Sequence, residues 1–241
     1  MANSYFRFKQ FTVHQDRCAM KVATDSCLFG AWAAARVSQS SPAGPAHVLD
    51  IGTGTGLLAL MLAQQAAARI DAVELDPQAA AQAAENIAAS PWKDLIRVIP
   101  GDIRMMTGHR AYEVILSNPP FYENQLSSPD PRRRIAHHGE GLLLGELLSL
   151  TGRLLTAEGS LFLLLPYRRR QEAEQALQEK GFWMQELVLV RQSPNHDYFR
   201  ILLQAGRNHR SPHISELTIR DDLGSYTPAF TDLLKPYYLN L

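Results

Sequence analysis

Residues 46–56 read Ala-His-Val-Leu-Asp-Ile-Gly-Thr-Gly-Thr-Gly, and Leu57 to Ala67 continue as a run of helix formers. A short apolar stretch, a glycine-rich turn and a helix in immediate succession open a β-α unit, with Gly52, Gly54 and Gly56 free to turn tightly and let a ligand approach the backbone. A dinucleotide fingerprint spaces its glycines as G-x-G-x-x-G and sets a pyrophosphate on the helix N-terminus. Here the spacing is G-x-G-x-G, and Asp50 stands just before it. A carboxylate there disfavours a pyrophosphate and suits a cationic ligand group reached through solvent.

Outward from this unit, strand and helix patterns alternate. Strands are expected at Ile70 to Leu75, Ile96 to Ile99, Tyr112 to Leu116 and Leu161 to Leu165. Helices are expected from Pro77 to Ala89, opening on proline, from Gly141 to Leu155, and from Arg168 to Lys180, stopped by Gly181. Trp183 to Arg191 and Phe199 to Ala205 read as two strands, and the six residues between them suit an antiparallel pair. The order predicts an α/β fold: a doubly wound, mostly parallel seven-stranded sheet with an antiparallel final strand. One domain is expected over residues 1–241, with an extension at 1–45, a core at 46–205 and a terminal segment at 206–241. Ser38 to Pro45 reads as a connection between an N-terminal helix and the first strand.

Composition sets limits. With 46% hydrophobic residues among 241, the chain can bury one substantial core. Lysine plus arginine equals aspartate plus glutamate at 24 each, so overall charge argues against a histone-like polyanion binder while leaving room for a local basic patch. Cys18 and Cys27 lack metal-ligand spacing, no apolar run is long enough to cross a bilayer, and the chain opens without a basic-then-apolar leader. A reduced, cytoplasmic protein without metal or membrane is expected, acting as a monomer.

Ligands of doubly wound sheets sit beyond the carboxyl ends of the strands, and acidic residues recur there. Glu74 ends the second strand, where a carboxylate can accept both hydroxyls of a ribose, and Asp102 follows the third, where it can accept from an adenine amine. Each could equally cap a helix. Asn118-Pro119-Pro120-Phe121 then follows Val114-Ile115-Leu116. An exocyclic amine or amide nitrogen is a poor nucleophile, because its lone pair is delocalised. The Asn118 oxygen and the Pro119 carbonyl can accept hydrogen bonds from such an NH2, Pro119 and Pro120 fix the backbone without offering a competing N–H, and Phe121 gives a flat substrate an apolar face.

The assembled pattern resembles the class I S-adenosylmethionine methyltransferases with a Rossmann-like fold, and the tetrapeptide resembles their nitrogen-specific branch. Lys21-Val22-Ala23-Thr24-Asp25-Ser26-Cys27-Leu28-Phe29-Gly30-Ala31-Trp32 resembles the N-terminal motif of the bacterial tRNA1(Val) adenine-N6 methyltransferases, with Ala23 where glycine is expected, and Tyr226-Thr227-Pro228-Ala229-Phe230 resembles their terminal segment. The resemblance covers essentially the whole chain. It implies S-adenosyl-L-methionine as cofactor, held by Asp50, Gly52, Gly54, Gly56, Glu74, Asp102 and Asn118, with Thr24 and Asp25 enclosing the methionine end. It implies tRNA as partner and N6 of an adenine, at position 37 beside the anticodon, as acceptor. Without it, Thr24 or Asp25 reads as the cap of a helix running through Trp32.

RNA must be met by positive charge. Arg132-Arg133-Arg134, close to His137 and His138, and Arg168-Arg169-Arg170 follow strand ends on the catalytic side, and Arg7, Lys9, Arg17 and Lys21 cluster near the start. Glu123 to Pro131 reads as a substrate loop. The adjacent histidines have no third ligand that would make a metal site. Competing readings are a glutamine-amide protein methyltransferase, which commonly carries a helical recognition domain ahead of the first strand, an rRNA guanine-N2 methyltransferase, and a non-catalytic RNA- or adenosine-ligand-binding module.

Overall fold

The computed structural model of the protein describes residues 3–40, 46–106, 112–119 and 142–241. A two-stranded hairpin, β1 (Tyr5–Arg7) and β2 (Thr12–His14), precedes the helix α1 (Thr24–Ser40). The alternating body follows: β3 (Ala46–Ile51), α2 (Leu57–Gln65), β4 (Ala68–Glu74), α3 (Pro77–Ala88), β5 (Ile96–Pro100) and β6 (Tyr112–Ser117). Then come α4 (Leu144–Leu154), β7 (Leu155–Pro166), α5 (Arg170–Glu179), β8 (Trp183–Arg191), β9 (Tyr198–Gly206), β10 (His213–Thr218) and α6 (Pro228–Leu234).

The main sheet runs β10-β8-β9-β7-β6-β3-β4-β5, and β9 alone opposes its neighbours, pairing antiparallel with both β7 and β8. The mostly parallel, doubly wound sheet therefore stands, but among the described residues it has eight strands where the sequence predicts seven. The added strand, β10, pairs parallel with β8 at the edge and carries the sheet past residue 205. His213-Ile214-Ser215-Glu216-Leu217-Thr218 buries only Leu217, so it lacks the apolar run by which the other strands are recognised. Boundaries also move: α1 extends to Ser40, with 41–45 outside the described residues, the strand expected at Leu161 to Leu165 begins at Leu155, the helix expected from Gly141 is observed from Leu144, and the helix expected from Arg168 begins as a 3-10 turn at Tyr167–Arg169.

Each face of the sheet has its own apolar layer. Leu28, Phe29 and Trp32 of α1, Leu58 and Met61 of α2, Ile87 of α3 and Phe230 of α6 pack on one face. Leu147 and Leu148 of α4 and Leu177 of α5 pack on the other with Leu161, Leu163 and Leu165. Helix α1 lies very close to α2: a Cβ at Gly30 would sit 2.7 Å from the sulfur of Met61, so a side chain there would push the buried thioether aside. Farther along α1, Arg36 grips both carboxylate oxygens of Glu186 on β8, at 2.6 and 2.9 Å. These contacts fix where the first turn of α1 stands over the sheet.

The chain leaves β3 toward β4 and β5 on one side and returns to β6 on the other. The strand order thus reverses between β3 and β6, and a crevice opens at their carboxyl ends. The glycine turn and Asn118 leave from those two strands.

Candidate active site

Ile51 pairs with Ser117 in the β3–β6 register, and the Ser117 hydroxyl donates to the Ile51 carbonyl at 2.8 Å. Gly52 and Asn118, the next residues, therefore emerge side by side. Gly52, Gly54 and Gly56 hold φ of 73°, 57° and 83°, left-handed values that glycine tolerates without strain. A Cβ at Gly52 or Gly54 would meet nothing within 4 Å, so the turn faces open space. It is tied down from behind: the N–H groups of Gly52 and Thr53 donate to the Val73 carbonyl at 2.9 and 3.1 Å.

Asp50 lies beneath the turn, fully buried. One carboxylate oxygen accepts from the Thr53 hydroxyl at 2.6 Å, while Oδ1, also closed to solvent, has no hydrogen-bond partner among the described residues. Burial pushes its carboxyl up to about 7, and the nearby Glu74 charge adds to the rise. A buried carboxylate with one unmatched oxygen, below open glycines, fits an ammonium-bearing cofactor tail bridged by water.

Glu74 is more committed than the sequence suggests. Its Oε2 accepts from the Gly54 N–H at 2.8 Å and its Oε1 from the Asp76 N–H at 2.9 Å, so it holds the turn in shape. Each oxygen keeps a second lone pair for a ribose hydroxyl. Burial raises its pKa. Asp102 caps the 3-10 turn at Ile103–Met105, accepting from the Arg104 N–H at 2.9 Å, and its ion pair with Arg104 holds its carboxyl below the usual range. The cap and the ligand role expected of it are both compatible with that geometry.

The N-terminal segment closes over this half. Asn86 of α3 grips the His14 backbone at both N–H and C=O, each at 2.9 Å, and donates also to the Thr55 carbonyl of the glycine turn at 2.9 Å. Gln82, one turn earlier, binds the Arg17 N–H and the Asp16 carboxylate. Cys18 comes near enough to Glu74 and Asp76 that their charges add to burial in pushing its thiol up to about 12. Three of the four cations expected near the start have partners within the fold: Arg17 pairs with Glu85, Lys21 donates to the Gln15 carbonyl, and Lys9 to that of Lys235.

Helix α1 begins at Thr24, with the Ala23 carbonyl accepting from the Cys27 N–H at 3.1 Å. The cap position therefore falls to Ala23, and neither Thr24 nor Asp25 holds it. Asp25 sits in the first turn, where the helix dipole favours a carboxylate, and its Oδ2 accepts from Arg200 Nε of β9 at 2.8 Å. Beside it, the Ser26 hydroxyl accepts from Asn118 Nδ2 at 3.2 Å. Asn118 Oδ1 is buried and finds no partner among the described residues. Pro119, next along, is buried. Ser26 and Arg200 were not singled out from the sequence. Ser26 at least lies within the quoted N-terminal motif, whereas Arg200 lies 175 residues from its partner and carries no local mark.

Pro120, Phe121, the loop Glu123 to Pro131, Arg132, Arg133, Arg134, His137 and His138 lie outside the described residues. Of the second arginine cluster, Arg168 is exposed and Arg170 half-buried, both just past the carboxyl end of β7. Arg169 is different: it is buried, with its guanidinium on both oxygens of Glu172 at 2.6 and 2.9 Å, so it braces the start of α5 and is not open to RNA. Among the described residues no group of three or more side chains could hold a metal ion, and no helix is long and apolar enough to cross a membrane.

Comparison with known proteins agrees with this architecture. The profile of the methyltransferase small domain family matches residues 37–187. A tRNA1(Val) (adenine(37)-N6)-methyltransferase of Phocaeicola vulgatus is 39% identical over 241 residues, covering 100% of both chains. One of Tolumonas auensis is 40% identical over 243 residues, covering 100% of this chain and 99% of its own. Among solved structures, a predicted O-methyltransferase of Agrobacterium tumefaciens superposes with a TM-score of 0.63 at 18% identity, over 89% of this chain and 99% of that one. A ribosomal protein L11 methylase of Lactobacillus delbrueckii gives 0.56 at 18% identity, over 82% and 84%. At that identity the structures speak for the fold alone, while the full-length relatives speak for the family: this chain belongs to the methyltransferase small domain family and, within it, to the tRNA1(Val) (adenine(37)-N6)-methyltransferases.

Proposed function

We propose that this protein transfers the methyl group of S-adenosylmethionine to the exocyclic N6 of an adenine in tRNA, at position 37 of tRNA1(Val). The observation that carries the reading is Asn118: a buried amide oxygen without a described partner, beside an open glycine turn at the reversal of the sheet. A buried acceptor left unmatched costs about 1–3 kcal/mol, and the N–H of an arriving amine would satisfy it.

When bound, the cofactor supplies an electrophilic methyl group on a sulfonium. The chain supplies position. Gly52 and Gly54 admit the cofactor to the backbone, Glu74 receives the ribose hydroxyls, Asp102 faces the adenine end, and Asp50, through water, favours the ammonium, with Thr24 and Asp25 at the methionine end. Asn118 Oδ1 and the Pro119 carbonyl accept from the two N–H bonds of the acceptor amine, turning its lone pair toward the methyl group, while Pro120 stiffens the loop and Phe121 stacks on the extruded base. Arg168 and Arg170, with Arg132, Arg133 and Arg134, meet phosphates.

The test is nucleoside mass spectrometry of total tRNA and rRNA incubated with the purified protein and S-adenosylmethionine. N6-methyladenosine in tRNA1(Val) is expected. Methylated guanine in rRNA, or a glutamine peptide methylated in preference to any tRNA, would overturn the assignment.

A further inference from the structure

An asparagine amide can present either its oxygen or its nitrogen to a substrate, because rotation about its last side-chain bond is broad and roughly two-fold. An exocyclic amine needs the oxygen. In this chain the amide stands in that orientation, with its nitrogen donating to the Ser26 hydroxyl, 3.2 Å from Asn118 Nδ2. The two residues are 92 positions apart and meet because the first turn of α1 is held over the end of β6.

Three contacts hold that turn. Asp25, adjacent to Ser26, is anchored to Arg200 of β9 at 2.8 Å. Gly30, one turn on, lets α1 pack directly on Met61. Glu186 of β8 fastens the distal half through Arg36 and accepts from the indole N–H of Trp32 at 3.3 Å. A rigid helix thus delivers a small hydroxyl to one face of Asn118, and the opposite pole of the amide, Oδ1, is the one without a partner among the described residues.

We propose that Ser26 is a positioning residue for methyl transfer: its hydroxyl engages Asn118 Nδ2 and holds Oδ1 toward the amine that is methylated. The inference rests on the reading of Asn118 as the acceptor of the substrate amine. With alanine at 26 the nitrogen loses its partner, the amide turns freely, and a large share of molecules shows a donor to a donor. Binding of cofactor and of the RNA backbone, made elsewhere, is untouched.

The experiment compares wild type, Ser26→Ala and Ser26→Thr in steady-state methylation of tRNA, with S-adenosylhomocysteine binding by calorimetry and thermal unfolding of each. Alanine is the best helix former and threonine keeps the hydroxyl, so both variants should fold. Ser26→Ala should lower kcat about ten-fold, the effect of one mispositioned hydrogen bond, with KM for tRNA and cofactor affinity within about two-fold of wild type. Ser26→Thr should return kcat to within about three-fold. An unchanged kcat in Ser26→Ala overturns the proposal, as does a parallel loss of kcat and cofactor affinity that threonine fails to restore. Failure of the parent reading looks different: wild type itself then gives no N6-methyladenosine in tRNA, and the same three proteins, assayed on the acceptor that is methylated, still decide whether Ser26 sets the amide.

Discussion

The crevice has two banks, built on opposite plans. On the β3–β5 bank almost every polar group is tied to another part of the protein: Glu74 to the Gly54 backbone, the turn to Val73, Asn86 to both the hairpin and Thr55. On the β6–β9 bank a few side chains reach across the fold, Asn118 to Ser26 and Asp25 to Arg200, with Arg168 exposed at the rim. A small cofactor of fixed shape rewards a preformed socket, whereas a base that must be drawn from a folded RNA is met by separable contacts. Changes on the first bank should therefore alter cofactor affinity, and changes on the second should alter turnover or RNA affinity.

The largest effect expected is on the second bank. Asn118→Ala should cut kcat by at least about 100-fold while S-adenosylhomocysteine binding stays within about two-fold, since the lost group acts on the amine alone. Comparable losses in both would erase the contrast between the banks. Next, Glu74→Ala should weaken cofactor binding by roughly 1–3 kcal/mol, because it removes the anchor of the Gly54 N–H and, on the proposed reading, the ribose acceptor. Calorimetry that finds full affinity would show the socket to be made by backbone alone.

Asp50 separates the two banks by pH. Burial lifts its carboxyl from 3.8 to about 7 in the folded chain. The folded state therefore keeps a proton that the unfolded state has released, and the stability this group contributes is complete below about pH 4 and is lost as pH rises through about 7. Asp50→Asn should match wild type in melting temperature near pH 4 and melt higher at pH 8. Cofactor binding should run the other way: an arriving ammonium favours the ionised form, so wild-type affinity should climb with pH up to about 7, whereas the affinity of the Asp50→Asn protein should stay flat. A pH-independent wild-type affinity would remove Asp50 from the cofactor site.

The smallest effect is at the rim. Replacing Arg168 and Arg170 together with alanine should make the slope of log tRNA affinity against log salt shallower by up to about 2 units, roughly 0.7–0.9 for each lost phosphate contact, without change in cofactor affinity. Arg169→Ala should leave that slope alone and instead lower the melting temperature, as its guanidinium braces Glu172.

The first bank was legible in the sequence because backbone geometry leaves marks there. Left-handed φ demands glycine at 52, 54 and 56, and carboxylates recur at successive strand ends. The strands of the core were equally legible from their apolar runs, and β10 was missed because an edge strand with one buried residue has no such run. The second bank was half-legible. Asn118 announces itself through the prolines that follow, but the partners of Asn118 and Asp25 are set by tertiary packing at separations of 92 and 175 residues, and no local pattern encodes that. The same holds for Arg169: three consecutive arginines look alike in a sequence, and only the 3-10 turn decides which one points inward.

One backbone contact links the two ends of the chain. The Lys9 N–H donates to the Tyr237 carbonyl at 2.8 Å, and the Lys9 ammonium to that of Lys235 at 2.6 Å, while the hairpin just beyond is clasped by Asn86 over the glycine turn. The hairpin precedes the glycine turn in the chain, yet its Lys9 anchor at Lys235 lies 226 residues further on. The turn and its strands can form early, but the cover above them is complete only once residue 237 has emerged. A chain cut short before α6 would carry the whole glycine turn and the Asn86 clasp but lose the Lys235 and Tyr237 anchors of the hairpin above it, so early termination should loosen the cover before it touches the turn.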